Sequence, residues 1–231
     1  MNTPEPKRIL IHRGGPFNAR VYRVEDGSAT WIEKDFSKSP WIVRNTLGRF
    51  LIWRECWILR RLERTGIVPG GVRRLSAFSL REDFCPGFAL RDSVCGAYAG
   101  NVFDPSKAVG VSAEMLREPV PREFFGALEE GVKAVHAARF VHLDLHNARN
   151  VLVGAGWKPV LLDWQSALPT GWMPGFLRRA LERIDRAGVC KFWNKFRPGE
   201  LSEEQMRFLH RSQFIRRHFW VPRVKARGMK K

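Results

Sequence analysis

Acidic residues are scarce in this sequence. Its 231 residues include 23 Asp+Glu against 40 Lys+Arg, which gives a formal net charge of +17. Solubility does not require so large an excess of cations, so we expect an anionic partner such as nucleic acid, a phosphorylated sugar or a lipid headgroup. The charge by itself does not choose among these three.

Cysteines and long apolar runs are also scarce. The four cysteines, Cys56, Cys85, Cys95 and Cys190, lie far apart, which argues against a zinc site and a disulfide framework and predicts a reducing compartment. The most apolar stretch, residues 47–62, contains five charged residues, so no segment approaches the ~20 apolar residues of a membrane span. The amino end is polar and has no signal core. We expect a cytoplasmic protein.

The composition of 44% hydrophobic and 27% charged residues excludes a disordered chain and permits one core or two small lobes that share a cleft. Asp26-Gly27 between two β-rich runs predicts a hairpin, and residues 75–84 predict a further strand. A helix is expected from about residue 43 to 65, where Gly66 and Pro69 follow.

The second half of the chain is predicted to be mainly helical. Apolar residues at helical spacing predict an amphipathic helix over residues 124–139, followed by two short strands at 151–153 and 159–162 and a basic helical remainder. We therefore predict an α+β protein and one domain over residues 1–231. Its sheet-rich amino lobe spans about 1–84, and its helical carboxy lobe spans 85–231.

Two runs of sequence carry the most chemical information. Residues 142–150 contain Asp144 and end at Asn150, and the predicted returning strand ends at Asp163. This order resembles the protein-kinase-like superfamily, whose signatures are a His-x-Asp loop that ends in Asn and a later Asp-Phe-Gly. The resemblance covers about residues 9–168 and implies a bilobal fold, an ATP substrate and a Mg²⁺ cofactor.

The resemblance also assigns roles. Asp144 would be the catalytic base, and Asn150 and Asp163 would hold Mg²⁺ at the mouth of one hairpin. Asn150 lies 150 − 144 = 6 residues after the aspartate rather than the usual five, which leaves Asn147 as a competing ligand. Trp164 replaces the usual phenylalanine, so the regulatory flip of many protein kinases is not assumed.

A kinase-like site also needs an upstream lysine and glutamate. Lys34 follows an apolar strand pair, where the superfamily has its phosphate-binding lysine, and Lys38 is the alternative. At 100° per residue, Glu55 lies inside the apolar stripe of its predicted helix. A carboxylate that points at a core requires a cation, because burying it alone costs several kcal/mol. We expect Glu55 to pair with Lys34.

Two weaker signals concern nucleotide binding. Gly14 and Gly15 begin a turn that resembles a kinase phosphate loop in its first glycine and a later valine. Glu82 and Phe84 stand before Pro86-Gly87, where the connector on the adenine side would lie. We predict these four residues as cofactor-binding.

The carboxy-terminal segment bears on the acceptor. Residues 173–231 hold 16 Lys+Arg and 5 Asp+Glu, a net charge of +11, interleaved with phenylalanine and tryptophan. This mixture suits an anionic membrane surface. The helix at residues 41–61 repeats the mixture of tryptophan and arginine. Together with Arg54-Glu55 and the Asp144 loop, this pattern resembles the bacterial lipopolysaccharide core kinases, which phosphorylate heptose or Kdo sugars on a lipid anchor. His146, two residues after Asp144, stands where sugar and antibiotic kinases of the superfamily often have a histidine. That resemblance implies a peripheral location at the inner face of the cytoplasmic membrane.

Three functions stay open at this point. The first is an ATP-dependent kinase of a lipid-linked sugar, and the second is a small bacterial serine/threonine protein kinase that uses the same residues on a protein substrate. The third is a non-catalytic, kinase-shaped module that binds an anionic partner. Nucleic acid is supported by charge alone, because the sequence has no zinc-finger, RNP or helix-turn-helix signature.

Overall fold

The computed structural model describes residues 6–15, 17–27, 29–93, 106 and 108–218. Its amino-terminal part is an antiparallel sheet in the order β1-β2-β3-β5-β4. The strands are β1 (Lys7–His12), β2 (Arg20–Asp26), β3 (Ala29–Asp35), β4 (Arg73–Arg74) and β5 (Ser79–Asp83). The predicted hairpin is confirmed, since β2 and β3 pair along their whole length around Gly27, whose φ is +53°.

The long helix of this part begins irregularly and packs on the sheet. A turn, α1 (Trp41–Val43), leads through a π-helical segment (Arg44–Gly48) into α2 (Arg49–Leu62). Gly48 lets the helix approach the sheet, because a Cβ at this position would lie 3.0 Å from the Phe36 side chain. The helix ends in a 3₁₀ turn (Glu63–Thr65) and then Gly66 at φ +69°, the left-handed conformation that the predicted glycine stop requires. One face of α2 is buried: Ile52, Cys56, Ile58, Leu59 and Leu62.

Short strands follow in the second half. A sheet in the order β6-β8-β9 contains β6 (Gly87–Ala89), β8 (Val151–Gly154) and β9 (Lys158–Leu161). A separate pair joins β7 (Phe140–Val141) to β10 (Leu168–Pro169). The β8–β9 hairpin confirms the prediction for residues 151–162 and brings the chain back beside its starting point.

Helices make up most of the remainder. They are α3 (Ala113–Arg117), α4 (Arg122–Ala137), α5 (Gly175–Phe196) and α6 (Glu203–His218), with 3₁₀ turns at Leu90–Asp92, Ala155–Trp157 and Trp164–Ser166. The helical periodicity in α4 is confirmed, because Phe124, Leu128, Val132 and Val135 are all buried. Buried side chains from α2, α4, α5 and the β8–β9 hairpin belong to the same hydrophobic cluster.

The α+β prediction is thus confirmed, with one shortened strand. Residues 75–78 form a turn rather than strand, because the backbone N–H groups of Leu75 and Ser76 both donate to the Ser79 carbonyl oxygen, at 3.0 and 3.2 Å. The predicted helical remainder extends to His218, and the basic tail beyond it lies outside the described residues. None of the helices in the described ranges has the length and apolar character needed to cross a bilayer.

Candidate active site

The loop of residues 142–150 lies between β7 and β8 and is anchored from below by α5. Asp185 of α5 is 1% exposed, and its two carboxylate oxygens accept hydrogen bonds from the backbone N–H groups of His142 and Leu143, each at 2.7 Å. Leu143 has a φ of +65°, a conformation that costs a non-glycine residue about 1–2 kcal/mol. Asp185 therefore stabilises an unfavourable backbone turn directly before Asp144.

Two further residues of α5 contact the same loop. A Cβ at Gly188 would lie 2.7 Å from the Leu145 carbonyl oxygen, so only glycine allows this approach. Lys191 Nζ donates to the His146 carbonyl oxygen at 3.0 Å. The three positions are spaced three residues apart and share one face of the helix, so α5 forms the floor of the loop.

Asp144 is held by two side chains. Asn150 Nδ2 donates to Asp144 Oδ2 at 2.7 Å and to the Asp144 carbonyl oxygen at 3.1 Å. His146 Nε2 lies 3.3 Å from the other carboxylate oxygen, Oδ1. Asn147 instead accepts from the Arg149 backbone N–H through its Oδ1, at 3.2 Å. Of the two candidate asparagines, Asn150 is therefore the one that orients Asp144.

The β8–β9 hairpin brings Asn150 next to Asp163. The Leu162 backbone N–H donates to the Asn150 carbonyl oxygen at 2.8 Å. Asp163 directly follows Leu162, so Asn150 and Asp163 both lie at the open end of the hairpin. Asp163 is exposed and has a left-handed backbone, with φ +60° and ψ 75°. The sequence prediction that both residues meet at this hairpin mouth is confirmed as geometry.

His142 joins the loop to the end of β9. Its Nε2 lies 3.0 Å from the Leu162 carbonyl oxygen, and its fully buried ring makes an edge contact with Trp164, with centroids 4.7 Å apart. Trp164 Nε1 donates to the Leu161 carbonyl oxygen at 3.1 Å. The tryptophan that replaces the usual phenylalanine is thus a packed core residue, and it fixes the turn that presents Asp163.

Lys34 of β3 is buried between two carboxylates. Its Nζ lies 2.6 Å from Glu55 Oε1 and 3.2 Å from Glu82 Oε1. The predicted Lys34–Glu55 contact is confirmed, whereas Lys38 is exposed. Glu82 reaches the same lysine because Ile32 of β3 pairs with Glu82 of β5, which makes Lys34 and Glu82 diagonal neighbours on one face of the sheet.

The charges of this cluster are strongly coupled. Burial alone would lower the pKa of Lys34, but the carboxylates of Glu55 and Glu82 outweigh burial and raise it. Asp163 raises the pKa of Lys34 further, so Asp163 lies within electrostatic range of the lysine. Burial raises the pKa of Glu82, and Lys34 offsets only part of that effect. Asp163 therefore lies near enough to the lysine cluster to interact with it electrostatically.

Arg54 connects α2 to the segment that follows Asp163. Its guanidinium donates to the carbonyl oxygens of Gln165, at 2.9 Å, and Ala167. Because Glu55 is the next residue, the same helix holds Lys34 and the turn after Asp163. A shift of α2 would move both sets of groups together.

The remaining predicted residues flank this centre. Gly14 and Gly15 lie in the β1–β2 loop, and a Cβ at Gly14 would come within 2.6 Å of the Ala19 carbonyl oxygen. Phe84 lies in the connector after β5, with the Arg23 guanidinium 5.8 Å from its ring centroid. The Glu82 side chain turns inward, where its Oε2 accepts a hydrogen bond from Lys34 Nζ at 3.3 Å.

The donor set suits magnesium bound together with phosphates. The described part of the chain contains no group of three or more His, Cys, Asp or Glu side chains that could hold a metal by itself. Mg²⁺ in phosphoryl-transfer sites takes one or two protein carboxylates, with phosphate and water oxygens completing its shell. Asp163 and the Asn150 amide oxygen at one hairpin mouth fit that requirement.

Three contributions were missed by sequence reasoning: those of Asp185, Glu82 and Arg54. Asp185 had a usable signal, because it lies three residues before Gly188 on one face of a strongly basic helix. The Glu82 contact follows from the β3–β5 register, which the sequence does not specify. The Arg54 contact joins positions 111 residues apart, which no local pattern in the sequence indicates.

No protein-family model matches this sequence, and no curated protein matches it either. The assignment of function therefore rests on the residues and the geometry described above.

Proposed function

We propose that this protein is an ATP-dependent kinase with a bilobal protein-kinase-like fold. One observation carries the proposal: Lys34 of a β-strand and Glu55 of the helix packed on it form a buried ion pair, with Nζ 2.6 Å from Oε1. In protein kinases, a strand lysine paired with a helix glutamate holds the ATP phosphates, and an aspartate beside it holds Mg²⁺. The Asp144–Asn150 hydrogen bonds, at the other side of the hairpin mouth, support the same interpretation.

Each group has a role in this proposal. Lys34, oriented by Glu55, would bind the phosphates of ATP, and the backbone around Gly14 and Gly15 would cover them. Asn150 and Asp163 would hold Mg²⁺, which when bound neutralises the negative charge of the phosphates. Phe84 lies at the connector, where the purine would bind.

Asp144 would act as the base. It would accept the proton of the acceptor hydroxyl while the hydroxyl oxygen forms a bond to the γ-phosphorus, and the bond from that phosphorus to the bridging oxygen breaks to release ADP. Asn150 and His146 each contact one carboxylate oxygen, so they orient Asp144 toward the acceptor. His146 also stands where it could meet the transferred phosphoryl group.

The acceptor we propose is a sugar hydroxyl of a lipid-linked glycan, such as lipopolysaccharide core, at the cytoplasmic face of the membrane. The net charge of +17 and the basic, aromatic composition of residues 173–231 support an anionic acceptor at a lipid surface. The resemblance to the lipopolysaccharide core kinases points to the same class of substrate.

Labelled ATP tests this proposal directly. The protein is incubated with Mg²⁺ and either a bacterial lipid extract or a generic protein substrate, and label in each fraction is counted. We expect label in the lipid fraction, reduced by about 10²–10⁴ in Asp144→Asn, the range for a lost general base. Label only in the protein fraction would replace the sugar kinase with a protein kinase, and no transfer at all would leave the non-catalytic module.

A further inference from the structure

A row of aromatic side chains runs along the outer side of α2, exposed at Phe50 and Trp53 and half-buried at Trp57. Phe50 and Trp53 are about half exposed, with ring centroids 6.1 Å apart, and Trp53 stacks on Trp57 at 6.4 Å. Trp57 contacts Phe140 of β7 at 5.5 Å. Exposed tryptophan and phenylalanine are usually found where a protein meets a partner or a membrane.

The row continues onto a second element. An open depression of about 380 Å³ lies beside Trp57, and Trp172, which is 76% exposed, lines its other side. Phe176, at the start of α5, is 71% exposed. We call the surface formed by Phe50, Trp53, Trp57 and Trp172 the aromatic face.

The charged residues that line the depression beside these rings are both cations, Arg61 and Arg139. At about 100° per residue, Phe50, Trp53, Trp57 and Arg61 fall within about 80° of one another on α2. The Arg61 guanidinium lies 4.0 Å from the Trp57 ring centroid, and Arg61 and Arg139 line the depression. Residues 41–62 contain five arginines and a single acidic residue, the buried Glu55, and residues 164–181 contain no acidic residue. Among the residues that the structure describes, those that line the depression of the aromatic face include no carboxylate that would repel an anion.

We propose that the aromatic face docks on the surface of an anionic lipid bilayer. Tryptophan rings suit the headgroup level of a membrane, and each nearby arginine adds to the attraction of anionic lipid. A second copy of this chain fits less well, because a symmetric contact would bring the same arginines of two highly basic molecules together. The choice of a lipid partner draws on the proposed function, in which the acceptor is lipid-linked.

Docking through α2 has a consequence for the site. Glu55, which holds Lys34, lies about 140° or more around α2 from the aromatic residues of that helix. Arg54, which holds the turn after Asp163, lies about 40° from Phe50, at the edge of the aromatic face. A membrane that orients α2 would therefore orient the groups that contact the nucleotide. Docking places the catalytic machinery at a fixed orientation to the lipid surface.

Vesicle sedimentation with the full-length protein tests the docking. The vesicles contain phosphatidylcholine alone or with about a third phosphatidylglycerol, and the variants are the double change Phe50→Gln/Trp53→Gln and the matched control Leu75→Gln. Leu75 is 49% exposed and lies outside the aromatic face. We expect wild type and the control to bind the anionic vesicles, and the double variant to bind about tenfold or more weakly.

A charge variant supplies the second arm. Arg61→Gln is expected to weaken binding to anionic vesicles about fivefold and to change binding to neutral vesicles little. Circular dichroism and melting temperature establish that each variant is folded. Equal binding of wild type and the double variant would overturn the proposal, as would an equal loss in the Leu75 control.

Further measurements distinguish lipid docking from binding of a second copy, and test docking separately from the proposed kinase activity. Sedimentation equilibrium tests for dimers. If wild type forms concentration-dependent dimers that the double variant does not form, and wild type does not bind vesicles, the aromatic face binds a second copy and the lipid proposal is overturned. Vesicle binding retained by Asp144→Asn supports docking independently of catalysis. If wild type does not bind vesicles but still phosphorylates detergent-dispersed lipid, the docking proposal is overturned and the proposed function is not.

Discussion

The two-carboxylate environment of Lys34 leads to a strong prediction about stability. In Lys34→Met the cation disappears, while Glu55 and Glu82 stay buried at 2% and 4% exposure. Breaking a buried ion pair by removing one partner typically costs about 3–5 kcal/mol, because the remaining charge is uncompensated. Here two charges remain and repel each other, so the folded variant must take up a proton on at least one of them.

Proton uptake sets the size of the loss and its dependence on pH. A glutamate with the ordinary unfolded pKa of about 4.3 costs about 1.0 kcal/mol to protonate at pH 5 and about 3.7 kcal/mol at pH 7, at about 1.36 kcal/mol per pH unit. The folded variant binds more protons than its unfolded chain, so its stability falls as pH rises. At this site we expect Lys34→Met to lose about 2.7 kcal/mol of stability from pH 5 to pH 7. Its deficit against wild type should grow by less than that, because the raised pKa of Glu82 makes the wild type lose part of its stability over the same range.

Glu55→Gln is the matched comparison. Lys34 keeps Glu82 at 3.2 Å in that variant, so the expected cost is about 1.5–3 kcal/mol, the value of one hydrogen bond to a charged group. The double variant Lys34→Met/Glu55→Gln leaves a single buried carboxylate and should recover part of the loss seen in Lys34→Met. The two effects are therefore not additive.

Urea denaturation followed by circular dichroism at pH 5 and pH 7 measures all four proteins. The free energy of unfolding is extrapolated to water for each of them. A deficit in Lys34→Met that is the same at both pH values would refute the proton-uptake argument. So would a Glu55→Gln variant that loses as much stability as Lys34→Met.

Four other predictions concern the site and the tail. Mg-ATP should raise the melting temperature of wild type, and Asp163→Asn should lose most of that rise; a shift that does not depend on magnesium would count against the metal assignment. Burial raises the pKa of Glu82 in the folded protein. The stability of wild type should therefore fall relative to Glu82→Gln as pH rises from about 4 through that folded-state pKa. Stabilities from urea denaturation that change with pH in parallel for the two proteins would contradict this. Asp185→Asn keeps only one side-chain oxygen, although two backbone N–H groups donate to this side chain. The variant should therefore lose about 1–3 kcal/mol of stability in the same assay. Unchanged stability would contradict the anchoring role. Deleting the chain from Pro222 onward removes five basic residues and should weaken binding to anionic vesicles without lowering the melting temperature; unchanged sedimentation would exclude the tail from membrane contact.

The local patterns of the sequence were enough for much of the site. Helical angles alone placed Glu55 on a buried stripe, and the cost of burying a carboxylate required a cation, which is Lys34 at 2.6 Å. The two short strands at 151–153 and 159–162 likewise predicted the hairpin that joins Asn150 to Asp163. In each case the local structure depends on residues close together in the chain, through the periodicity of apolar positions or the pairing of adjacent strands.

Only the tertiary structure decided which distant elements meet. Lys34 and Glu82 are 48 residues apart and meet through the register of two strands, and Arg54 reaches the Gln165 carbonyl oxygen across 111 residues. Asp185 lies 43 residues after His142, and its spacing to Gly188 singles it out on its helix but does not indicate which loop that helix contacts. Periodicity identifies the face of a helix that is buried, but packing of the whole chain determines what that face is buried against. The sequence therefore determined the local elements and the residue types of the site, and their mutual packing determined which residues hold Asp144, Lys34 and Asp163 in place.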